Sequence, residues 1–221
     1  MYSCCNENKR DEVKLVITDI PSMGAQMIGG ALEHYAEAAG NTSIVEVGSW
    51  LGAGTAYLAT GAKRGGGHVY AYDRFTANSS EIAKAKAAGW DIAGDTLPVV
   101  MDSIRQLGLS EYVTFHKGNI GKHPYNHGPI GVFVLDTCKR PKPFTKVMNH
   151  YMPHFIPGKT VVVFMDLWYW KYCQEHGKKP EDISKYKYQY DWVVSKTNVF
   201  EVISATMEER ETSAYLFKGN L

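Results

Sequence analysis

The run Ile44-Val45-Glu46-Val47-Gly48-Ser49-Trp50-Leu51-Gly52-Ala53-Gly54-Thr55 limits what this chain can fold into more than any other segment. An apolar strand ends in a carboxylate, passes into a glycine turn and opens a helix, which leaves bare backbone at a helix N-terminus for a ligand. Further on, His68-Val69-Tyr70-Ala71-Tyr72-Asp73 ends a second apolar segment in an acid. An acid there is placed to grip two adjacent ribose hydroxyls. Together the two segments describe a nucleotide-type cofactor site.

The rest of the chain repeats the alternation. Residues 22–39 place Met23, Met27, Ile28, Leu32, Tyr35 and Ala36 at helical spacing, with Ser22 as cap and Gly40 as stop. Strands are expected at 43–47, 69–72, 113–116, 131–135 and 160–165, with helical stretches between most of them. Such units imply a mostly parallel sheet covered on both faces. The end departs from this: 199–205 and 213–218 are β-rich, joined by the polar segment 207–212, with no room for a crossover helix. They should pair antiparallel. The expected fold is α/β, a Rossmann-like three-layer sandwich with a seven-stranded sheet, spanning 19–221 after an N-terminal extension at 1–18.

Composition removes several classes. The 24 Lys and Arg nearly balance 23 Asp and Glu, so no broad electropositive surface for nucleic acid is expected. No apolar run reaches the roughly 20 residues that span a bilayer, and the N-terminus has no basic region followed by an apolar one. A soluble cytoplasmic protein is the expectation, with no membrane partner. Cys4, Cys5, Cys138 and Cys173 make no Cys-x-x-Cys pair and read as free thiols. The histidines, among them His116, His123 and His127, are scattered, and none is marked as catalytic.

These residues carry a family resemblance. The Glu46-x-Gly48-x-x-x-Gly52-x-Gly54 turn, Asp73, the Gly118-Asn119-Ile120 step, Asp136 after the fourth strand and the closing hairpin resemble a class I S-adenosylmethionine-dependent methyltransferase. Within it the chain resembles small-molecule O-methyltransferases of the catechol and macrocin types. The resemblance implies a cofactor site of Glu46, Gly48, Ser49, Gly52, Gly54, Thr55, Asp73, Arg74, Phe75, Asn119, Ile120 and Asp136. In it Glu46 favours the methionine ammonium group, Asp73 takes the ribose, Asn119 meets the adenine edge, and Ile120 and Phe75 sandwich the ring. The glycines could instead only permit tight packing, Asp73 could be a strand-end cap, and Phe75 could be ordinary core.

For transfer to a hydroxyl, Asp136 and Asp166 end consecutive strands and could together hold magnesium (Mg2+), which would lower the acceptor's pKa. Lys139, three residues beyond Asp136, stands where catechol-type relatives commonly carry a general base. It can serve only if its pKa is depressed; otherwise it is a solvated cation. Two departures limit the likeness: Thr137-Cys138-Lys139 replaces the acid or histidine cluster of macrocin-type relatives, and Leu167 follows Asp166 where cation-dependent members tend to have Asn or Asp. A third is Gly54, followed by Thr55, where many relatives have a serine. Acceptor contacts are expected from 76–95 and from the aromatic run opening at Trp168, Tyr169 and Trp170 and continuing to the Tyr- and Lys-rich run 185–192, which equally suits a homodimer interface or packing under the hairpin.

The expected activity is therefore methyl transfer to a small-molecule hydroxyl. The alternatives are a non-catalytic binding module, or a nitrogen- or protein-directed methyltransferase. A nicotinamide dehydrogenase would want a tighter glycine spacing than Gly48 to Gly52 offers.

Overall fold

The computed structural model describes residues 15–120, 123–177, 183–205 and 213–219. Cys4, Cys5 and the expected turn at 207–212 lie outside them, while Cys138 and Cys173 are free thiols. The sheet has seven strands: β1 (Ser43–Val47), β2 (His68–Asp73), β3 (Val113–Lys117), β4 (Ile130–Leu135), β5 (Val161–Phe164), β6 (Phe200–Ala205) and β7 (Ser213–Phe217). Their order across the sheet is β3-β2-β1-β4-β5-β7-β6. The strands β1 to β5 pair in parallel, and β7 runs antiparallel to both β5 and β6.

The central strands β1 and β4 are buried along their whole length, because helices cover both faces. Their side chains alternate between two cores. Ile44, Val132 and Val134 join Leu32, Leu58, Val100 and Ile104 on one face. Val45, Val47, Phe133 and Leu135 join Phe144, Met148, Tyr151 and Phe164 on the other.

The first core is formed by α1 (Ala25–Ala38), α2 (Ala53–Gly65), α3 (Ser79–Ala87) and α4 (Leu97–Gln106). The second is covered by α5 (Pro141–Tyr151) and α7 (Ile183–Val194), with α6 (Tyr169–Glu175) beside them. Helices α1 and α2 meet backbone to backbone: a Cβ on Gly61 would lie 2.1 Å from the Glu33 carbonyl oxygen. That close approach sets the N-terminal end of α1 against the glycine turn after β1.

The helix expected to begin at Ser22 begins instead at Ala25, with Gly24 as its cap at φ 151°. Ser22 still serves the end, its hydroxyl accepting from the Gly24 and Gln26 amides at 3.1 and 3.3 Å. No described helix is long and apolar enough to cross a membrane.

The direction of winding reverses between β1 and β4. In open α/β sheets the crevice beyond the strand ends at such a point is where ligands bind.

Candidate active site

Every described non-glycine residue with positive φ lies on this rim: Trp50 (46°) after β1, Phe75 (50°) after β2, Cys138 (59°) after β4 and Asp166 (57°) after β5. Left-handed backbone at such residues costs about 1–3 kcal/mol each and clusters at ligand sites. A cleft of about 800 Å³ opens among them, within the roughly 300–1,000 Å³ typical of small-molecule sites. A side recess of about 30 Å³ adjoins it, and the two share Met23, Gly48, Trp50 and Asp136 as walls.

One end of the cleft is built from backbone. Gly48, at φ 103°, brings β1 so close to the end of β4 that a Cβ would stand 3.2 Å from the Asp136 carbonyl carbon. Asp73 accepts from the amides of Ser49 (2.8 Å), Trp50 (3.3 Å) and Phe75 (2.7 Å), tying the glycine turn to the end of β2. It also lines the cleft, with Arg74, Asn119 and Ile120 near it. A carboxylate offers about four lone-pair sites, so one remains for a guest.

Glu46 reaches the recess, with Ser49 and Gly54. Its carboxylate accepts from the Thr55 hydroxyl at 2.5 Å, and Thr55 in turn contacts the Ser49 hydroxyl. Burial drives the Glu46 pKa up to about 8 against those hydrogen bonds, so the acid is stored partly protonated and would gain from a cationic neighbour. Glu46 and Asp73 therefore face two joined compartments and not one wall.

Three expected cofactor residues serve other purposes. Phe75 is fully buried and packs edge to face on Phe115 at 5.7 Å, so its ring belongs to the core and does not sandwich a ligand in the cleft. Gly52 makes room for α4, since a Cβ there would meet Val100 at 2.8 Å. Thr55 is fully buried and meets the recess through Glu46 and Ser49. Gly54 leaves space for the Glu46 carboxylate, 2.6 Å from where its Cβ would be.

The opposite end is built from side chains. Lys139, 7% exposed, places its ammonium 3.3 Å from Asp136 Oδ1 and in contact with Asp166 Oδ2. Burial alone would strip its proton, but the two carboxylates more than offset this and hold its pKa above the ordinary lysine value. The depressed pKa that a lysine base requires is thus not what this arrangement produces. Asp136 is 39% exposed, but to the cleft and not to bulk solvent. That enclosure raises its carboxyl to about 6, with Lys139 opposing the rise and Asp166 adding to it.

Tyr169 and Tyr186 close this end, their rings edge to face at 4.9 Å. Trp168 and Trp170 do not line it. Trp168 Nε1 donates to Ser213 at 2.6 Å, and both indoles pack against Tyr190. Tyr186 comes from the run 185–192 expected to meet the acceptor, whereas Lys146 and Met23 line the cleft without having been expected there. Tyr186 belongs to a conspicuous Tyr- and Lys-rich run, but nothing local distinguishes it from Tyr188 or Tyr190. From the 76–95 segment, Thr76, Glu81 and Lys84 reach the cleft. The histidines stack elsewhere: His116 lies on Tyr72 (4.4 Å) and His127 on Tyr70 (3.9 Å).

A reversed parallel sheet, a backbone-lined cleft at its strand ends and two acids near it define a Rossmann-like, nucleotide-cofactor class of protein. The chain belongs to the methyltransferase domain family, which matches residues 45–167. It is similar in fold to cofactor-bound Rv0187 from MTB at 15% identity and a TM-score of 0.66, over 91% of this chain and 84% of that one. It is similar as well to the O-methyltransferase from Bacillus cereus in complex with SAH (15%, TM-score 0.60, 90% and 85%). A third is the O-methyltransferase TomG from Streptomyces achromogenes, involved in tomaymycin synthesis, in complex with SAM (15%, TM-score 0.61, 90% and 82%). No curated protein matches the chain.

Proposed function

We propose that this protein transfers a methyl group from S-adenosylmethionine to a hydroxyl of a small molecule. The observation that carries the reading is one cleft with two unlike ends, a backbone-built one at Gly48 and Asp73 and a charged, aromatic one at Asp136, Lys139, Asp166 and Tyr186.

The residues fit the cofactor. Gly48 lines the cleft with bare backbone, Asp73 keeps a lone pair for a ribose, and Glu46 is a buried acid that a cationic amino group would stabilise. When bound, S-adenosylmethionine supplies an electrophilic methyl on a sulfonium, and the electron pair of the broken carbon–sulfur bond stays on sulfur.

What this chain contributes is alignment and proton removal. Tyr169 and Tyr186 wall the acceptor, and the Lys139 ammonium holds its oxygen by hydrogen bond. Asp136 takes the hydroxyl proton as the oxygen–methyl bond forms, and with its pKa near 6 it is a base close to working pH. The near-zero net charge supports a small-molecule acceptor over nucleic acid.

Calorimetric titration with S-adenosylmethionine and S-adenosylhomocysteine, followed by transfer of a labelled methyl to phenols, sugars and polyketides, tests the reading. Binding of both and an O-methyl product support it. Binding without transfer to any acceptor would point to a binding module, and an N-methyl or protein product to the other alternative.

A further inference from the structure

Asp136 and Asp166, at neighbouring strand ends, are placed as a hard divalent ion would require, yet a side chain of the protein itself fills the space between them. The Lys139 ammonium stands within hydrogen-bond reach of one and in contact with the other. The Tyr186 ring lies 5.6 Å from it, and the side chain is 7% exposed. Magnesium demands about six oxygens at roughly 2.0–2.1 Å in octahedral array. An ion bridging Asp136 Oδ1 and Asp166 Oδ2 would have to stand where Nζ now stands.

Among the described residues no third acid, histidine or thiol joins the pair. Leu167, next to Asp166, is fully buried in the core. Charge agrees with geometry. The Lys139 ammonium already offsets one of the two carboxylates, so a divalent ion added beside it would leave this end of the cleft net positive. The residues present do not fit a divalent ion.

We propose that Lys139 is the resident cation of this site, held between Asp136 and Asp166 in place of a metal, and that its ammonium binds the acceptor oxygen directly. The exclusion of metal stands on geometry, and the acceptor contact rests on the proposed transfer to oxygen. The substitution also narrows the acceptor. A divalent ion draws in two adjacent oxygens of a chelating ligand, whereas the Lys139 ammonium has spent two of its three donors on Asp136 and Asp166 and keeps one for an acceptor oxygen. With no metal to acidify it, the hydroxyl must itself be acidic. An isolated phenol meets both conditions and suits walls of tyrosine.

Manganese binding followed by electron paramagnetic resonance, on the full chain with and without S-adenosylhomocysteine, tests the first half. Wild type should bind no stoichiometric Mn2+ below about 1 mM, since the metal-holding acids are already paired. Lys139→Ala should bind it at least tenfold more tightly, and adding Asp166→Asn should abolish that gain. Saturable Mn2+ binding by wild type that Asp166→Asn removes would overturn the proposal, as would a Lys139→Ala protein that folds and gains none. If Lys139→Ala does not fold, Lys139→Met serves in its place, and the wild-type result decides alone if neither folds. The acceptor half predicts that methylation of a phenol with one hydroxyl survives a chelator and is within tenfold of that of a vicinal diol. Chelator-sensitive transfer, or transfer to diols only, would refute it. Complete absence of transfer together with the expected Mn2+ pattern would instead remove the methyltransferase reading and leave the ion-exclusion claim intact.

Discussion

The two ends of the cleft are made from different materials. The end at Gly48 and Asp73 is a matter of backbone: a left-handed glycine, three amides on one carboxylate, and a glycine that leaves space for a buried acid. The end at Lys139 and Tyr186 is a matter of side chains brought from β4, β5 and α7. Backbone serves a constant partner, since amides and turns vary little with sequence. Side chains on helices that cover the sheet edge can be exchanged without disturbing the strands, so they suit the partner that differs among related proteins.

The comparison breaks if a change at one end is felt equally at the other. The largest effect is expected for Asp73→Ala, which strands up to three amides and removes the ribose acceptor. At about 1–3 kcal/mol per unsatisfied polar partner, S-adenosylhomocysteine affinity should fall roughly ten- to a hundredfold, and the melting temperature should drop as well. A lower melting temperature with unchanged affinity, both read by calorimetry, would reduce Asp73 to a staple between β1 and β2.

Tyr186→Ala should sharpen the contrast. S-adenosylhomocysteine affinity is expected to stay within about twofold while the acceptor KM rises roughly tenfold, about the 1.4 kcal/mol of a lost aromatic contact. Steady-state kinetics against calorimetry separates the two, and a large loss of cofactor affinity would end the division into compartments.

The smallest effect concerns Glu46 and pH. Its folded pKa of about 8 lies above its free value of 4.5, so the stability it contributes is complete below pH 4.5 and is lost as pH climbs toward 8. Glu46→Gln should flatten that decline, raising the ligand-free melting temperature at pH 8.5 by about a few degrees and leaving it little changed at pH 4.5. Equal melting profiles from pH 4.5 to 8.5 would show that Glu46 is ionised without a partner.

The backbone-built end was largely readable in the sequence, because its signals are local. Short apolar runs marked β1 and β4, and Gly48 and Asp73 fell where a strand-turn-helix unit puts them. Where that reading failed, a distant contact or a reversed φ was responsible. Phe75 takes a left-handed backbone and its ring joins Phe115 in the core. Gly52 answers to Val100, on a helix far downstream. At the other end, only Tyr169 of three neighbouring aromatics lines the cleft, because successive residues of α6 point about 100° apart. That the Lys139 ammonium would settle between two acids depends on β4 and β5 lying side by side, which no local pattern encodes.

The four left-handed residues at the strand ends also bear on how this protein tolerates change. Trp50, Phe75, Cys138 and Asp166 hold a conformation that glycine adopts with ease. Selection for thermal robustness alone would push each toward glycine, and the mouth of the crevice would slacken as the scaffold hardened. Their presence marks the rim as the part of the molecule where durability has been given up for grip.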